Sequence, residues 1–394
     1  MALKILLAHN YYQQSGGEDT VFTAEASLLR EKGHTVLEYI EDNHRIPAMN
    51  KLDLAIQTVW SQHSYDKLSE LIAAEKPDIA HFHNTFPLIS PSAYYACRDA
   101  NLPVIQTLHN YRLICPSAIL FRDGHICEDC LARSIPWPAV LHNCYRNSRI
   151  QTTVVATMLA THRVLKTWNK LINTYIALTD FSRQKFIAGG LPQEKIVVKP
   201  NFVQIAPVTL PARDMSLLFV GRLVPYKGIK TLLSGWASIP NIPLDMAGDG
   251  PMKDALTRQS KNLRNIHWLG TISHEAVLEK MKSALALVFP SECYEGFPMT
   301  IIEAMACELP IIAAKLGGAS EIISNGVTGL HFNPGDPHDL AKKVHWAWEH
   351  PNEMAEMGRN ARHEYEEKYT AERNYAMSLT IYEHALSGNW KRDQ

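Results

Sequence analysis

The chain has 394 residues, 46% of them hydrophobic and 20% charged, with a formal net charge of −1. That length predicts two domains of ordinary globular composition, and the near-zero charge excludes a chain-wide nucleic-acid footprint, so no nucleic-acid partner is expected. No apolar run approaches the ~20 residues of a bilayer span, and the opening run is too brief for a secretion signal; a cytoplasmic chain is expected, its seven cysteines reduced and structural, metal-bound or inert.

Residues 4–9 read as a compact apolar strand, and residues 20–32 as an amphipathic helix stopped by Gly33. A second strand is expected over 35–39, and further apolar runs, each ending in polar residues, over 78–83 and 104–109. Short apolar runs followed by helices predict a parallel sheet covered on both faces. Pro200, Pro207 and Pro211 then fall in a stretch with few helix signals, which predicts a linker. Alternation restarts with strands over 216–220, 244–247, 265–268, 284–289 and 310–314, and a helix over 228–238. Residues 371–386 read as a long closing helix with no strand after it.

The fold class is therefore α/β, with two doubly wound Rossmann-like domains in series facing across a cleft. The first is expected over 1–205, with a cysteine-containing insertion at about 112–146, and the second over 206–370. The closing helix, within 371–394, is expected to pack back toward the first domain. Ligands of such sheets bind beyond the C-terminal strand ends, at helix N-termini.

One segment there is Gly221-Arg222-Leu223-Val224-Pro225-Tyr226-Lys227-Gly228. A guanidinium can fork two phosphate oxygens, an ammonium adds a point charge, and Gly228 lets backbone come close. The alternative is a solvated basic loop. A second segment runs from Glu295-Gly296-Phe297-Pro298 to Glu303. It puts one carboxylate in a loop and another on the first turns of a helix, where both could accept from sugar or ribose hydroxyls. The alternative is one capping acid and one surface acid.

Gly-Arg-x4-Lys-Gly combined with Glu-Gly-Phe-Pro-x4-Glu resembles the retaining family-4 glycosyltransferases of GT-B architecture. Lys199-Pro200-Asn201, Ala247-Gly248-Asp249-Gly250-Pro251, Leu269-Gly270, Gly317-Gly318-x-x-Glu321 and Asn325-Gly326-x-x-Gly329 extend the likeness over nearly the whole chain. The second half matches better. The resemblance implies that Arg222 and Lys227 neutralise the donor's diphosphate, that Glu295 contacts the donor sugar, and that Glu303 takes the ribose hydroxyls. It implies sugar or phosphate contacts at Gly296, Phe297 and Pro298, a donor-lining loop at Gly248, and the base near Gly270, Thr271 and Ile272.

In the first domain, Gly16-Gly17-Glu18-Asp19 permits close backbone approach, but it is not a G-x-G-x-x-G fingerprint and gives a nicotinamide cofactor little support. By resemblance, Gly16 and Gly17 touch the diphosphate or the acceptor; the alternative is a tight turn into a helix. His109, at a strand end, is implied to contact the transferred sugar near the reacting carbon; the alternative is a histidine bonded to backbone. His9, His81 and His83 also end strands, with no role assigned.

The sequence contains no Asp-x-Asp, so no catalytic metal is expected, and Arg222, Lys227 and a helix dipole supply the charge. The implied reaction moves a sugar from a UDP-, GDP- or ADP-linked donor to a saccharide or lipid-linked acceptor, in bacterial polysaccharide or glycolipid assembly. It passes through an oxocarbenium-like state, with the leaving phosphate taking the acceptor's proton on the same face. Three competing readings are kept. A nucleotide-sugar epimerase would lack the two spaced glutamates, and a sugar phosphorylase would need a cofactor lysine and a larger chain. A non-catalytic sugar-binding partner would be free to lose Arg222, Lys227, Glu295 and Glu303.

Cys115, Cys127, Cys130 and Cys144 lie within 30 residues and include a C-x2-C pair, with His125 and His142 as competing ligands. A structural zinc would hold this Gly- and Pro-interrupted stretch; the alternative is a lid with ordinary reduced thiols. Between 146 and 170, Arg146, Arg149, Arg163, Lys166 and Lys170 mix with Leu159, Leu165 and Trp168. That suits peripheral contact with the inner face of a membrane; the alternative is a domain helix with a solvated face.

Overall fold

A computed structural model of the chain describes residues 2–14, 16–206 and 213–387. Pro207 and Pro211 of the expected linker lie outside the described residues. The chain divides into two compact units: Met1–Leu120, Glu128–Pro200 and Asn374–Gln394 form the first, and Phe121–Cys127 with Asn201–Arg373 the second.

The first eight strands are β1 (Lys4–Tyr11), β2 (Thr35–Asp42), β3 (Ile79–Asn84), β4 (Val104–Leu108), β5 (Phe121–Arg122), β6 (His125–Ile126), β7 (Thr174–Ala177) and β8 (Ile196–Val198). Strands β5 and β6 form a small antiparallel hairpin that belongs to the second unit. The other six make a parallel sheet ordered β2-β1-β3-β4-β7-β8. Every residue of β3 and β4 is buried, as strands covered on both faces require. The helix Gly17–Glu31 buries Val21, Phe22, Glu25, Ala26, Leu28 and Leu29 on one face. It begins where the Asp19 carboxylate accepts from the Gly16 N–H at 2.9 Å, and Gly33, at φ +87°, takes the left-handed conformation that ends it.

The second unit adds β9 (Leu217–Val220), β10 (Leu244–Ala247), β11 (Ile266–Gly270), β12 (Ala286–Phe289), β13 (Ile311–Ala314) and β14 (Gly329–Phe332), all parallel and ordered β11-β10-β9-β12-β13-β14. The order reverses between β9 and β12, where a doubly wound sheet opens a crevice at its C-terminal strand ends. Trp236 is fully buried in this unit's core and donates its indole N–H to the Ile242 carbonyl at 3.0 Å.

The closing helix is Ala371–Leu386. Its Asn374 amide donates to the Pro200 carbonyl at 2.7 Å, and its Tyr382 hydroxyl lies 2.9 Å from His81 Nδ1. Both contacts are internal to the first unit. Among the described residues no helix is long and apolar enough to cross a membrane.

Candidate functional site

Three loops meet at the C-terminal ends of β9, β10 and β12. The Gly221 N–H donates to the Ala247 carbonyl at 3.0 Å, and the Leu223 N–H to the Asp249 carbonyl at 2.9 Å. Gly248, at φ +146°, lies so close that a Cβ there would sit 1.9 Å from the Gly221 oxygen. The basic loop is thus pressed flat on its neighbour by backbone bonds that leave no room for a side chain. Pro225–Lys227 is a single helical turn, and Gly228, at φ +68°, opens the helix Ile229–Trp236. A Cβ on Gly228 would sit 1.8 Å from the Pro290 oxygen, so glycine is what lets this turn lie against the end of β12.

That approach brings the two motifs together. Lys227 Nζ lies 2.6 Å from Glu295 Oε1, and the same oxygen accepts from the Ser291 hydroxyl at 2.6 Å. The Cys293 thiol lies 3.8 Å away. Lys227 also stands over the Phe289 ring, 5.5 Å from its centroid. Glu295 Oε2 accepts from no group among the described residues. One carboxylate oxygen is therefore clamped and the other is open to a ligand hydroxyl.

Burial pushes the Glu295 carboxyl up, but the Lys227 ammonium and the hydrogen bonds from Lys227, Ser291 and Cys293 outweigh it, leaving it below its ordinary range. For Lys227 burial works downward, yet the Glu295 charge wins and holds the ammonium above its ordinary value. Both groups are ionised at neutral pH. Behind them, the Gly318 N–H donates to the Glu295 carbonyl at 2.9 Å, and a Cβ on Gly318 would meet the Gly296 oxygen at 2.5 Å.

Pro298 precedes the helix Met299–Ala306, which carries Glu303. Glu303 Oε1 lies 3.0 Å from Nε2 of the exposed His274. Phe297 is buried against Tyr369, with ring centroids 5.8 Å apart, so it packs the loop. Gly270 ends β11 at φ +67° and accepts from the Gly248 N–H at 2.8 Å; Thr271 and Ile272 follow it. Arg222 follows Gly221 in the basic loop.

Ser291, Glu292, Thr231 and His274 were missed by sequence reasoning. The Glu292 carboxylate accepts from the Thr231 hydroxyl at 2.5 Å, and the Glu292 N–H donates to the Tyr226 carbonyl at 2.8 Å, tying both loops together. For Ser291 and Glu292 the available signal was a polar pair one residue past an apolar strand.

In the first unit, Gly16 caps the helix that Gly17 begins. Glu18 lies beside it, accepting from the Asn110 amide at 3.3 Å, and burial pushes its carboxyl up to about 7. His9 Nε2 is 2.7 Å from Asp19 Oδ1. His109, just past β4, bonds through Nε2 to His83 Nδ1 at 3.0 Å, not to backbone. These residues sit beside the β1–β3 reversal in sheet order.

Cys115 is buried with Sγ 3.1 Å from the Ser117 hydroxyl, and Cys130 is buried near the Pro136 carbonyl at 3.9 Å. Cys144 is partly buried in the same unit, while partly buried Cys127 belongs to the second. The stretch has little regular structure: Ala118, Leu120, Asp123, Ala132, Asn143, Arg146 and Asn147 all have positive φ. Each such residue costs about 1 kcal/mol or more.

The basic stretch differs from expectation. Its helix, Arg149–Val164, turns Leu159 into the core on its packed face, and Trp168 is buried in a separate short helix, Thr167–Lys170, that follows a left-handed turn at Lys166. Arg163 donates to the Leu113 and Arg133 carbonyls, a structural use of its fork. The exposed apolar residues are instead Ile150 (80%), Val164 (76%) and Leu165, with Ile135, Trp137 and Leu141 nearby in sequence.

Comparison with known proteins decides the family. The model described as Glycosyltransferase Family 4 matches residues 9–206, and that described as Glycosyl transferases group 1 matches residues 204–364. The chain belongs to glycosyltransferase family 4. This family-4 chain is 36% identical over 158 residues to the D-rhamnosyltransferase WbpZ of Pseudomonas aeruginosa, covering 39% of this chain and 41% of that one. It spans about half the length, or less, of curated relatives of this kind. A glycosyltransferase from Rickettsia africae shares the fold at TM-score 0.73, with 18% identity over 98% of this chain and 99% of that one. Alr3699/HepE of Anabaena, solved with UDP and glucose, does so at TM-score 0.67, with 19% identity over 96% and 99%. The fold is GT-B, built from two Rossmann-like units.

Proposed function

We propose that this chain transfers a sugar, with retention of configuration, from a nucleoside-diphosphate sugar to a saccharide or lipid-linked acceptor in polysaccharide or glycolipid assembly. The observation that carries the reading is the Lys227–Glu295 pair at the β9–β12 switch point, with one glutamate oxygen clamped and one open. A diphosphate laid along the basic loop meets Arg222 and Lys227, and the shared Lys227 ammonium ties phosphate and sugar subsites together. Glu295 Oε2 accepts a hydroxyl of the donor sugar. Glu303 takes the ribose hydroxyls, exchanging its His274 contact for them, and the base lies along residues 270–272. His109 is assigned to the transferred sugar, and Gly16 and Gly17 to the diphosphate or the acceptor.

Charge built up on the leaving phosphate is met by cations already in place, so no catalytic metal enters the scheme. The departing phosphate oxygen takes the acceptor's proton on the face it leaves, which yields retention. The complex with UDP and glucose reported for the Anabaena protein supports a nucleotide-sugar donor.

Two further assignments accompany this reading. A structural zinc taken by the cysteine segment, with Cys115, Cys130 and Cys144 in the first unit, offsets the strain of the positive-φ residues there. Ile150, Val164 and Leu165, interleaved with Arg149, Lys166 and Lys170, form a peripheral membrane contact for a cytoplasmic enzyme. A thermal-shift series with UDP, GDP, ADP and their sugars tests the donor site. One nucleotide should raise the melting temperature in proportion to ln(1 + [L]/Kd), and no shift with any of them would contradict the reading.

A further inference from the structure

Strand β3 places His81 and His83 on one face of the first unit's sheet, and both are fully buried. The scheme above uses neither. His83 Nδ1 is the partner of His109 Nε2 at 3.0 Å, while His83 Nε2 has no hydrogen-bond partner and lies 4.0 Å from Glu25 Oε2. Glu25 comes from the helix Gly17–Glu31 and is itself buried. Its carboxylate meets Lys199 Nζ at 3.2 Å, and that ammonium also donates to Asn374 and Ser378 at 3.1 Å each. Lys199 and His81, with hydrogen bonds from Lys199 and Tyr382, overcome the effect of burial and keep Glu25 ionised.

Glu25, His81 and His83 offer ligand atoms within 4.8 Å of one another, which would suit a metal ion. A cation there would have to displace the Lys199 ammonium. It would also have to take one ring nitrogen of His81 from its present partner, Tyr382 at 2.9 Å on Nδ1 or Thr107 at 2.7 Å on Nε2. The arrangement is better satisfied as a hydrogen-bond chain.

Burial and their histidine neighbours hold His83 and His109 far below the ordinary histidine value, so both are neutral. Two neutral imidazoles meeting nitrogen to nitrogen share a single hydrogen. If His83 carried it on Nδ1, its Nε2 lone pair would face the Glu25 anion. If His83 is protonated on Nε2, that N–H faces the carboxylate, and Nδ1 accepts from His109 Nε2–H. The carboxylate charge selects the second state. It leaves His109 Nδ1 as a lone pair, and that atom has no partner among the described residues.

We propose that Glu25 and His83 are positioning residues that fix His109 as the Nε2–H tautomer, so that its Nδ1 accepts a hydrogen bond from a substrate hydroxyl. The nature of that hydroxyl, one on a sugar, rests on the glycosyltransferase reading; the tautomer does not. The partly exposed ring of His109 is thereby an acceptor and not a donor. It selects an O–H group over a carbonyl or phosphate oxygen.

The test is a long-range 1H–15N spectrum of the full chain labelled in histidine and recorded without substrate, with His109 assigned by the spectrum of His109→Gln. His109 should show a pure Nε2–H pattern in the wild type and a tautomer mixture in His83→Phe, whose fold is checked by melting. Turnover in His83→Phe should fall about tenfold through kcat, a change packing alone would not couple to the tautomer. A wild-type His109 protonated on Nδ1, or a pure Nε2–H pattern in both proteins, overturns the proposal. The wild-type spectrum decides even if the variant fails to fold. The predicted tautomer in a chain that turns over no nucleotide-sugar would overturn the functional reading instead, and with it the substrate clause.

Discussion

Alanine in place of Gly228 probes how the candidate site is assembled. Gly228 lies at φ +68°, and the added Cβ would stand 1.8 Å from the Pro290 carbonyl oxygen. To reach 3.0 Å, the shortest such separation real Cβ atoms show, the turn and the end of β12 must part by 1.2 Å (3.0 − 1.8). Neither side can yield by rotating a side chain, since the obstacle is backbone. The left-handed conformation costs about 1–2 kcal/mol for alanine, and forced overpacking about 1–3 kcal/mol more, so roughly 2–5 kcal/mol is expected. Gly335 is the matched control, at φ +73° with nothing within 4 Å of its Cβ; alanine there should cost only the conformational term, about 1–2 kcal/mol. Urea denaturation of both variants measures the difference. The Gly228 variant should also lose activity about 100-fold, because a shift near 1 Å misplaces reacting groups to that extent and Lys227 and Glu295 ride on the two backbones being separated. Equal destabilisation in the two variants, or a fully active Gly228→Ala, would refute the close-approach argument.

Other outcomes follow from separate features. Glu18 has its carboxyl raised from 4.5 to about 7, so the folded chain binds more protons than the unfolded one between those values. Its contribution to stability is full below about pH 4.5 and is lost as pH rises through about 7. Melting temperature against pH should be flatter in Glu18→Gln over that window, and an unchanged slope would remove the burial argument. Elemental analysis of purified protein should find one zinc per chain, and less than about a tenth of an equivalent would rule out the cysteine site. The chain should float with vesicles containing anionic lipid, and Ile150→Glu with Val164→Glu should abolish flotation; undiminished flotation of the double variant would discard that face.

Much of the fold was legible because its strands are short apolar runs that end in polar residues. The strands of 244–247 and 104–109 appear as Leu244–Ala247 and Val104–Leu108. Strands β7, β8 and β14 were not read: Thr174 opens the first, the second has only three residues, and Gly329 and His331 interrupt the apolar run of the third. The basic loop and the Glu295 loop could be named, but not their direct pairing. That contact depends on Gly228 admitting the Pro290 carbonyl, a tertiary fact that spacing does not encode. The histidines of β3 had no assignable role for a similar reason: their partners Glu25, His109 and Tyr382 come from three other elements. In the basic stretch, composition gave Trp168 and Leu159 as surface residues, whereas helix phase turns Leu159 inward and the left-handed turn at Lys166 precedes the short helix that buries Trp168. Composition carries no phase, and only the periodicity across 149–164 separates buried from exposed positions.

The central claim is that Lys227 and Glu295 act as one unit on a nucleotide-sugar. Release of nucleoside diphosphate, followed over a panel of UDP-, GDP- and ADP-sugars with acceptor present, tests it most directly. The wild-type chain should release diphosphate from one donor class, and Lys227→Ala and Glu295→Gln should each slow it by about 100-fold or more, with the double variant little worse than either. Full turnover in either single variant, or release from no donor by the wild type, would contradict the account.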